Sequence, residues 1–198
     1  MKQDHGSLRC LRTGALVLSF IATALCPAIL AGGEIVPPAA GRFADPEVQE
    51  SPDFQRHVIP LLGRLGCNGR SCHGSFQGQG GFQLSLFGYD FKTDHQALTK
   101  HKGDTGVVRV SVPSPSQSLI LKKALELVEH EGGQKIKPGS WQSRLLLNWI
   151  RSGAPAANVE RKLDRLEISP SEALFHSIDE SLPLRVIAVW ADGGKEDV

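Results

Sequence analysis

A short glycine-rich stretch that contains two cysteines constrains this chain more than any other feature. The stretch "GCNGRSCHGSFQGQGGFQLSLFGYD" runs from Gly66 to Asp90 and contains Cys67, Cys72 and His73. Four residues separate the two cysteines, and the histidine follows the second cysteine directly. Because the redox conditions of a compartment decide what thiols become, the use of these three side chains depends on where the protein is located.

The first 33 residues have the order of a secretory signal peptide. Lys2, Arg9 and Arg12 precede the uncharged run "GALVLSFIATALCPAILA", and small residues follow it. A basic start, an apolar run and a small-residue cleavage region are typical of export. The run is also near the length that spans a bilayer, so a membrane anchor is the alternative. We expect export to the periplasm or cell surface, with residues 34–52 as a linker.

Export leaves the mature chain with only Cys67 and Cys72, because Cys10 and Cys26 lie in the leader. In an oxidising compartment, these two cysteines can form a disulfide with each other or two thioether bonds to a haem. His73 favours the haem, because an attached haem needs an axial nitrogen ligand beside it. A zinc site is a third alternative, but it would need a fourth ligand from elsewhere in the chain.

The apolar spacing around the motif predicts a small helical domain. Four helices are expected: one capped by Ser51 and bent at Pro60, a short one capped by Thr93, one over 118–129, and one between Ser140 and Gly153. So few residues build only a small core on their own. A buried porphyrin would complete it.

These motifs together resemble the planctomycete-type cytochrome c domain of large exported proteins. The resemblance is carried, in chain order, by "FQRHVIPLLGRLGCNGRSCHG", "GGFQLSLFGYD", "HEGGQKI" and "LLNWIRSGAP". It implies a mainly α, cytochrome c-like helical fold over residues 53–157 with one covalent haem c. Cys67 and Cys72 would then carry the thioethers, and His73 would be the proximal iron ligand. The four-residue spacing is a recurrent variant in that family.

The distal iron ligand is expected to be His130. The sole methionine is Met1, which export would remove, so methionine ligation is excluded. His130 stands in "VEHEGGQKIKPGSW", just ahead of the last helix and near the position of the methionine in related folds. The alternatives are an open iron position, Lys135 or Lys137 as the ligand, or a histidine that merely interacts with carbonyls at a helix end.

The remaining histidines and three acidic residues are not expected in the site, except that His101, with Lys135, is the next candidate for the distal ligand if His130 does not bind the iron. His57 is expected at the helix surface, while His95 and His101 flank the short helix and His176 lies outside the haem domain. The acidic residues expected to be solvated or to cap helices are Asp90, Asp94 and Asp104.

The segment after the last helix loses helical periodicity. Here "LRVIAVW", "ADGG" and "KEDV" read as strand, tight turn and strand. Residues 163–198 resemble the opening of a bacterial Ig-like domain of group 2. They are expected to form an incomplete sandwich, in a chain that is a fragment or a truncated product of a longer protein.

Composition and motifs leave two function classes. The formal net charge of +1 and the lack of a basic stripe argue against nucleic-acid binding, and no catalytic motif appears. We expect no enzyme, but a haem-c electron-transfer module of an exported multidomain protein, with an unidentified redox partner and a cell-surface or carbohydrate-associated context. The alternative is a non-redox structural or adhesion module with a Cys67–Cys72 disulfide.

Overall fold

The computed structural model describes residues 34–100, 108–158 and 161–198. The predicted leader, residues 1–33, lies outside them. The helices are α1 Ala39–Arg42, α2 Ile59–Arg64, α3 Phe91–Thr99, α4 Leu119–Ala124 and α5 Trp141–Arg151, and the strands are β1 Ile35–Val36, β2 Leu163–Ser169, β3 Arg185–Trp190 and β4 Lys195–Asp197. Within the described ranges, no helix combines the length and the hydropathy needed to cross a bilayer.

The predicted mainly α, cytochrome c-like fold followed by an incomplete Ig-like sandwich is wrong. Only 30% of the described residues are helical and 13% are in strands. The strands form one four-stranded mixed sheet in the order β1-β4-β3-β2.

Helix α4 shows how tertiary contacts shorten a predicted helix. The helix expected over 118–129 ends at Ala124, and Glu126 takes a left-handed conformation at φ 58°. The Ala124 carbonyl accepts hydrogen bonds from the amides of Lys135 and Ile136, at 2.9 and 3.0 Å. In a longer helix, that carbonyl would accept from an amide of the next helical turn. Because it accepts from Lys135 and Ile136 instead, the helix ends at Ala124.

The first predicted helix differs in its start and in its geometry. Asp53, not Ser51, is the N-cap, because its carboxylate accepts from the amides of Gln55 and Arg56. A π-helical turn over Phe54–Val58 then leads into α2. Pro60 lies in the first turn of α2 and has no N–H to donate to the widened turn that precedes it.

Helix α5 is confirmed, together with its cap and its buried face. The Ser140 hydroxyl accepts from the Ser143 amide, and Gly153 follows the helix at φ +96°. The side chains of this helix that enter the core are Leu145, Leu146, Trp149 and Ile150. In the centre, the Trp149 ring stacks on Phe54, with the ring centroids 5.4 Å apart.

The predicted hairpin is confirmed as β3 and β4, which are antiparallel. The sequence did not predict a further strand beside this hairpin. That strand, β1, lies in the expected linker and pairs with β4 in parallel. β2 pairs with the other edge of β3. The strands therefore form one sheet that uses residues from both ends of the described chain.

A buried ionic cluster joins this sheet to the helical part. Glu196 of β4 accepts from the Nε2 of His57 and from Arg42, both at 3.0 Å. The Asp53 amide donates to Nδ1 of His57 at 2.8 Å, so the ring proton is on Nε2. The prediction of a surface position for His57 is wrong, because Glu196, 139 residues further along the chain, covers it.

Candidate functional site

A cavity of about 710 Å³ is lined by residues of the 66–74 loop, which carries both cysteines, by α4 and by the loop after α4. All four site residues predicted from the sequence line it: Cys67, Cys72, His73 and His130. Its apolar walls come from several elements and include Leu62, Leu65, Phe82, Leu84, Leu98, Leu119, Ile120 and Leu146. The lining also includes charged side chains of both signs: Arg109, Lys123, Lys135, Glu129 and Glu131. Apolar walls that include polar groups are typical of a ligand or cofactor pocket.

The four residues between Cys67 and Cys72 form a tight turn in the 66–74 loop, which follows α2. The Gly69 carbonyl accepts from the amides of both Cys72 and Gly74, each at 3.0 Å. The His73 amide donates to the Cys67 carbonyl at 3.0 Å, which closes the loop. Both cysteines and the histidine are therefore held in one hydrogen-bonded ring at the cavity wall.

This loop has a glycine where the backbone comes close to itself. A Cβ atom on Gly74 would lie 2.1 Å from the Asn68 carbonyl oxygen. No real side chain tolerates that distance, so the loop requires glycine at this position. Asn68 is 1% exposed, and its carbonyl also accepts from the amide of Phe87 at 3.1 Å.

His73 is held in one tautomer. Its Nδ1 lies 3.0 Å from the Phe82 carbonyl oxygen, which only accepts, so Nδ1 carries the proton and Nε2 has the lone pair. Burial lowers the pKa of His73, the backbone hydrogen bonds to Phe82 and Gln79 oppose this, and the nearby His130 and Arg109 lower it further. A neutral imidazole with its lone pair on Nε2 is a competent metal ligand.

Both cysteines are free thiols in the structure. Burial raises the pKa of Cys67 to about 11, with the nearby Lys135 charge opposing this rise. Cys67 is therefore an unreactive thiol at neutral pH unless a partner activates it, because the thiolate is the nucleophile.

His130 reaches the cavity from a loop, not from the end of a helix. The expected helix stops at Ala124, so the alternative of a helix-end histidine is wrong. Nδ1 of His130 donates to the Gly133 carbonyl at 2.9 Å, which leaves Nε2 with a lone pair. Gly133 takes a left-handed φ of 68°, and a Cβ atom on Gly132 would lie 3.2 Å from that Nε2.

The sequence reasoning missed Arg109 as a cavity residue. Its side chain lines the cavity, and the residue is 6% exposed. Of the two lysines weighed as distal ligands, Lys135 lines the cavity and Lys137 does not. In the sequence, the neighbours of Arg109 are apolar and small residues that form no motif with it, so no sequence pattern predicted its position in the cavity.

The remaining candidates lie away from the cavity. The Nε2 of His95 is 2.8 Å from the Ala154 carbonyl, and the ring contacts Phe54 edge-on. Asp90 caps α3, as expected for that residue, and replaces Thr93 as the predicted cap. Asp94 is fully buried and accepts from the amide and hydroxyl of Ser85, so its expected solvation is wrong. His101 and Asp104 lie outside the described residues, while His176 is exposed.

In comparisons with models of known families, with curated proteins and with solved structures, the chain gives no match. In the described ranges, no group of three or more His, Cys, Asp or Glu side chains is arranged to hold a metal ion. A haem iron does not require such a group, because the porphyrin supplies four of its ligands and the protein adds one or two.

Proposed function

We propose that this chain contains a haem-c-binding electron-transfer module of an exported protein. The observation that carries the proposal is that Cys67, Cys72, His73 and His130 all line one cavity of about 710 Å³. These residues come from two loops that are more than fifty positions apart in the sequence. The proposed module does not depend on a cytochrome c fold.

The donor set and the walls of the cavity fit a haem. Two free thiols lie beside the imidazole of His73, whose lone pair is on Nε2. The second imidazole, His130, also has its lone pair on Nε2. The walls supply the apolar surface that a porphyrin ring buries. Arg109, Lys123 and Lys135 place positive charge in the lining, beside the carboxylates of Glu129 and Glu131.

Each residue has a distinct role in this proposal. Cys67 and Cys72 would each add across one vinyl group: a C–S bond forms, the thiol proton goes to the other vinyl carbon, and no oxidant is consumed. His73 and His130 would be the protein's ligands to the iron. When bound, the haem would supply reversible one-electron chemistry. The apolar walls would exclude water from it.

Extraction of the pigment tests covalent attachment. The full chain is produced by export in cells that have the haem-attachment machinery, and the purified protein is extracted with acidified organic solvent. We expect a red protein whose colour remains with the polypeptide. A protein with both cysteines replaced by alanine should lose its colour into the solvent. A colourless wild-type protein without free thiols would overturn the proposal in favour of the disulfide module.

A further inference from the structure

A four-residue turn beside the cavity carries the carbonyl that holds His73. The turn runs from Gln79 to Phe82, whose backbone groups pair with each other. The Phe82 carbonyl accepts from Nδ1 of His73, and the Phe82 ring packs on the imidazole with the centroids 4.6 Å apart. This turn therefore supplies both the hydrogen-bond partner and a ring contact of His73.

Arg109 contacts the same turn at two points. Its guanidinium donates to the Gly81 carbonyl at 2.8 Å and lies 4.4 Å from the centroid of the Phe82 ring. The Arg109 backbone is itself anchored, because its carbonyl accepts from the Ile120 amide at the start of α4 at 3.0 Å. The attraction between a cation and an aromatic ring is stronger when the cation is desolvated, and Arg109 is buried.

We propose that Arg109 is a positioning residue for His73. By holding the 79–82 turn, it keeps the Phe82 carbonyl in place, so that the neutral imidazole carries its proton on Nδ1 and directs the lone pair of Nε2 to a ligand. Free imidazole side chains have no such constraint, because either nitrogen can carry the proton. That the ligand is a haem iron rests on the proposed function, whereas the effect on the tautomer does not.

The test measures the His73 tautomer by long-range ¹H–¹⁵N NMR of the full chain, labelled at histidine and produced without haem attachment. A His73→Gln variant identifies the signals. We expect a single Nδ1–H tautomer in the wild type and a mixture with the Nε2–H form in Arg109→Met. Arg109→Lys keeps a cation and one donor, so it should restore the single tautomer. Arg151→Met, at an exposed arginine away from this cavity, is the matched control.

Phe82→Leu gives a second route in case Arg109→Met does not fold. It keeps the backbone carbonyl but removes the ring that Arg109 contacts, so it should also give a mixed tautomer. Folded variants that keep the single Nδ1–H tautomer after either substitution would overturn the proposal. The haem extraction has a separate outcome: a tautomer that depends on Arg109 in a chain that attaches no haem supports the positioning role and rejects the electron-transfer module.

Discussion

His73 and His130 are held in the same way, although they lie in unrelated loops. Each donates its Nδ1 proton to a backbone carbonyl, of Phe82 and Gly133 respectively, and each therefore has its lone pair on Nε2. A carbonyl partner also makes the imidazole a stronger donor to a metal. This arrangement distinguishes these two histidines from His95, which uses its Nε2 within the core.

Replacing His130 tests the distal ligand. With His73 and His130 both bound, the haem should be low-spin and should not bind carbon monoxide. His130→Ala should give a high-spin haem that binds carbon monoxide, with attachment through Cys67 and Cys72 unchanged, measured by absorption spectroscopy. His176→Ala, at an exposed histidine, is the control. If the His130→Ala protein stays low-spin and does not bind carbon monoxide, His130 is not the distal ligand. Lys135 and His101 would then be the next candidates.

The 66–74 loop is the element that presents the thiols, and its shape depends on one close approach. Gly74→Ala places a Cβ atom 2.1 Å from the Asn68 carbonyl oxygen. We expect it to lower the free energy of unfolding by about 2 kcal/mol or more, the cost of forced overpacking. Chemical denaturation followed by circular dichroism measures the change.

Gly41→Ala is the matched control for that substitution. Gly41 lies in α1, and a Cβ atom there meets nothing within 4 Å. Alanine is the better helix former by up to about 1 kcal/mol, so this variant should be as stable as the wild type or slightly more stable. Equal destabilisation by both substitutions would show that the Asn68 contact is not decisive.

Elements with strong local signals could be predicted from the sequence. Helix α5, with its serine cap and its apolar face, is one example, and the hairpin of β3 and β4 is another. Elements decided by distant partners could not: the Ala124 carbonyl is taken by Lys135 and Ile136, so α4 ends early. The pairing of β1 with β4 joins residues about 160 positions apart, which no local pattern indicates.

The candidate site was more predictable than the fold. Cys67, Cys72 and His73 are adjacent in the sequence and carry their own chemical pattern, and all three line the cavity together with His130. Arg109 could not be predicted, because its role depends on a contact with a turn 27 to 28 positions earlier in the chain. Residue types and their spacing predict candidate ligands, while the groups that orient them depend on tertiary contacts.

At the scale of the whole molecule, Glu196 links the sheet to the helices. Burial raises its pKa, but the His57 hydrogen bond and the Arg42 charge outweigh it, so the pKa lies below its ordinary value of 4.5. A lowered carboxyl pKa stabilises the folded state above the unfolded value, and this stability is lost as the pH falls through the folded value. Arg42 also forms a salt bridge with Glu50, with 2.8 Å between Nε and the carboxylate oxygen.

Glu196→Gln should therefore destabilise the protein in a pH-dependent way. We expect a loss on the order of 3 kcal/mol at neutral pH, as for breaking a buried ion pair. Denaturation at a series of pH values should show the difference from wild type shrinking below about pH 4.5. Glu167→Gln, in an exposed ion pair of the same sheet, should have a much smaller effect. A difference that does not change with pH would contradict this role for Glu196.

Mass spectrometry of tryptic peptides tests the central claim most directly. Trypsin cuts after Arg64, Arg70 and Lys92, so Cys67 and Cys72 fall in separate peptides, 65–70 and 71–92. If each thiol is bonded to the same haem, the two peptides remain joined by one haem, and a disulfide reductant does not separate them. Peptides that separate on reduction, or that appear as free thiols from exported protein, would contradict covalent haem attachment at this site.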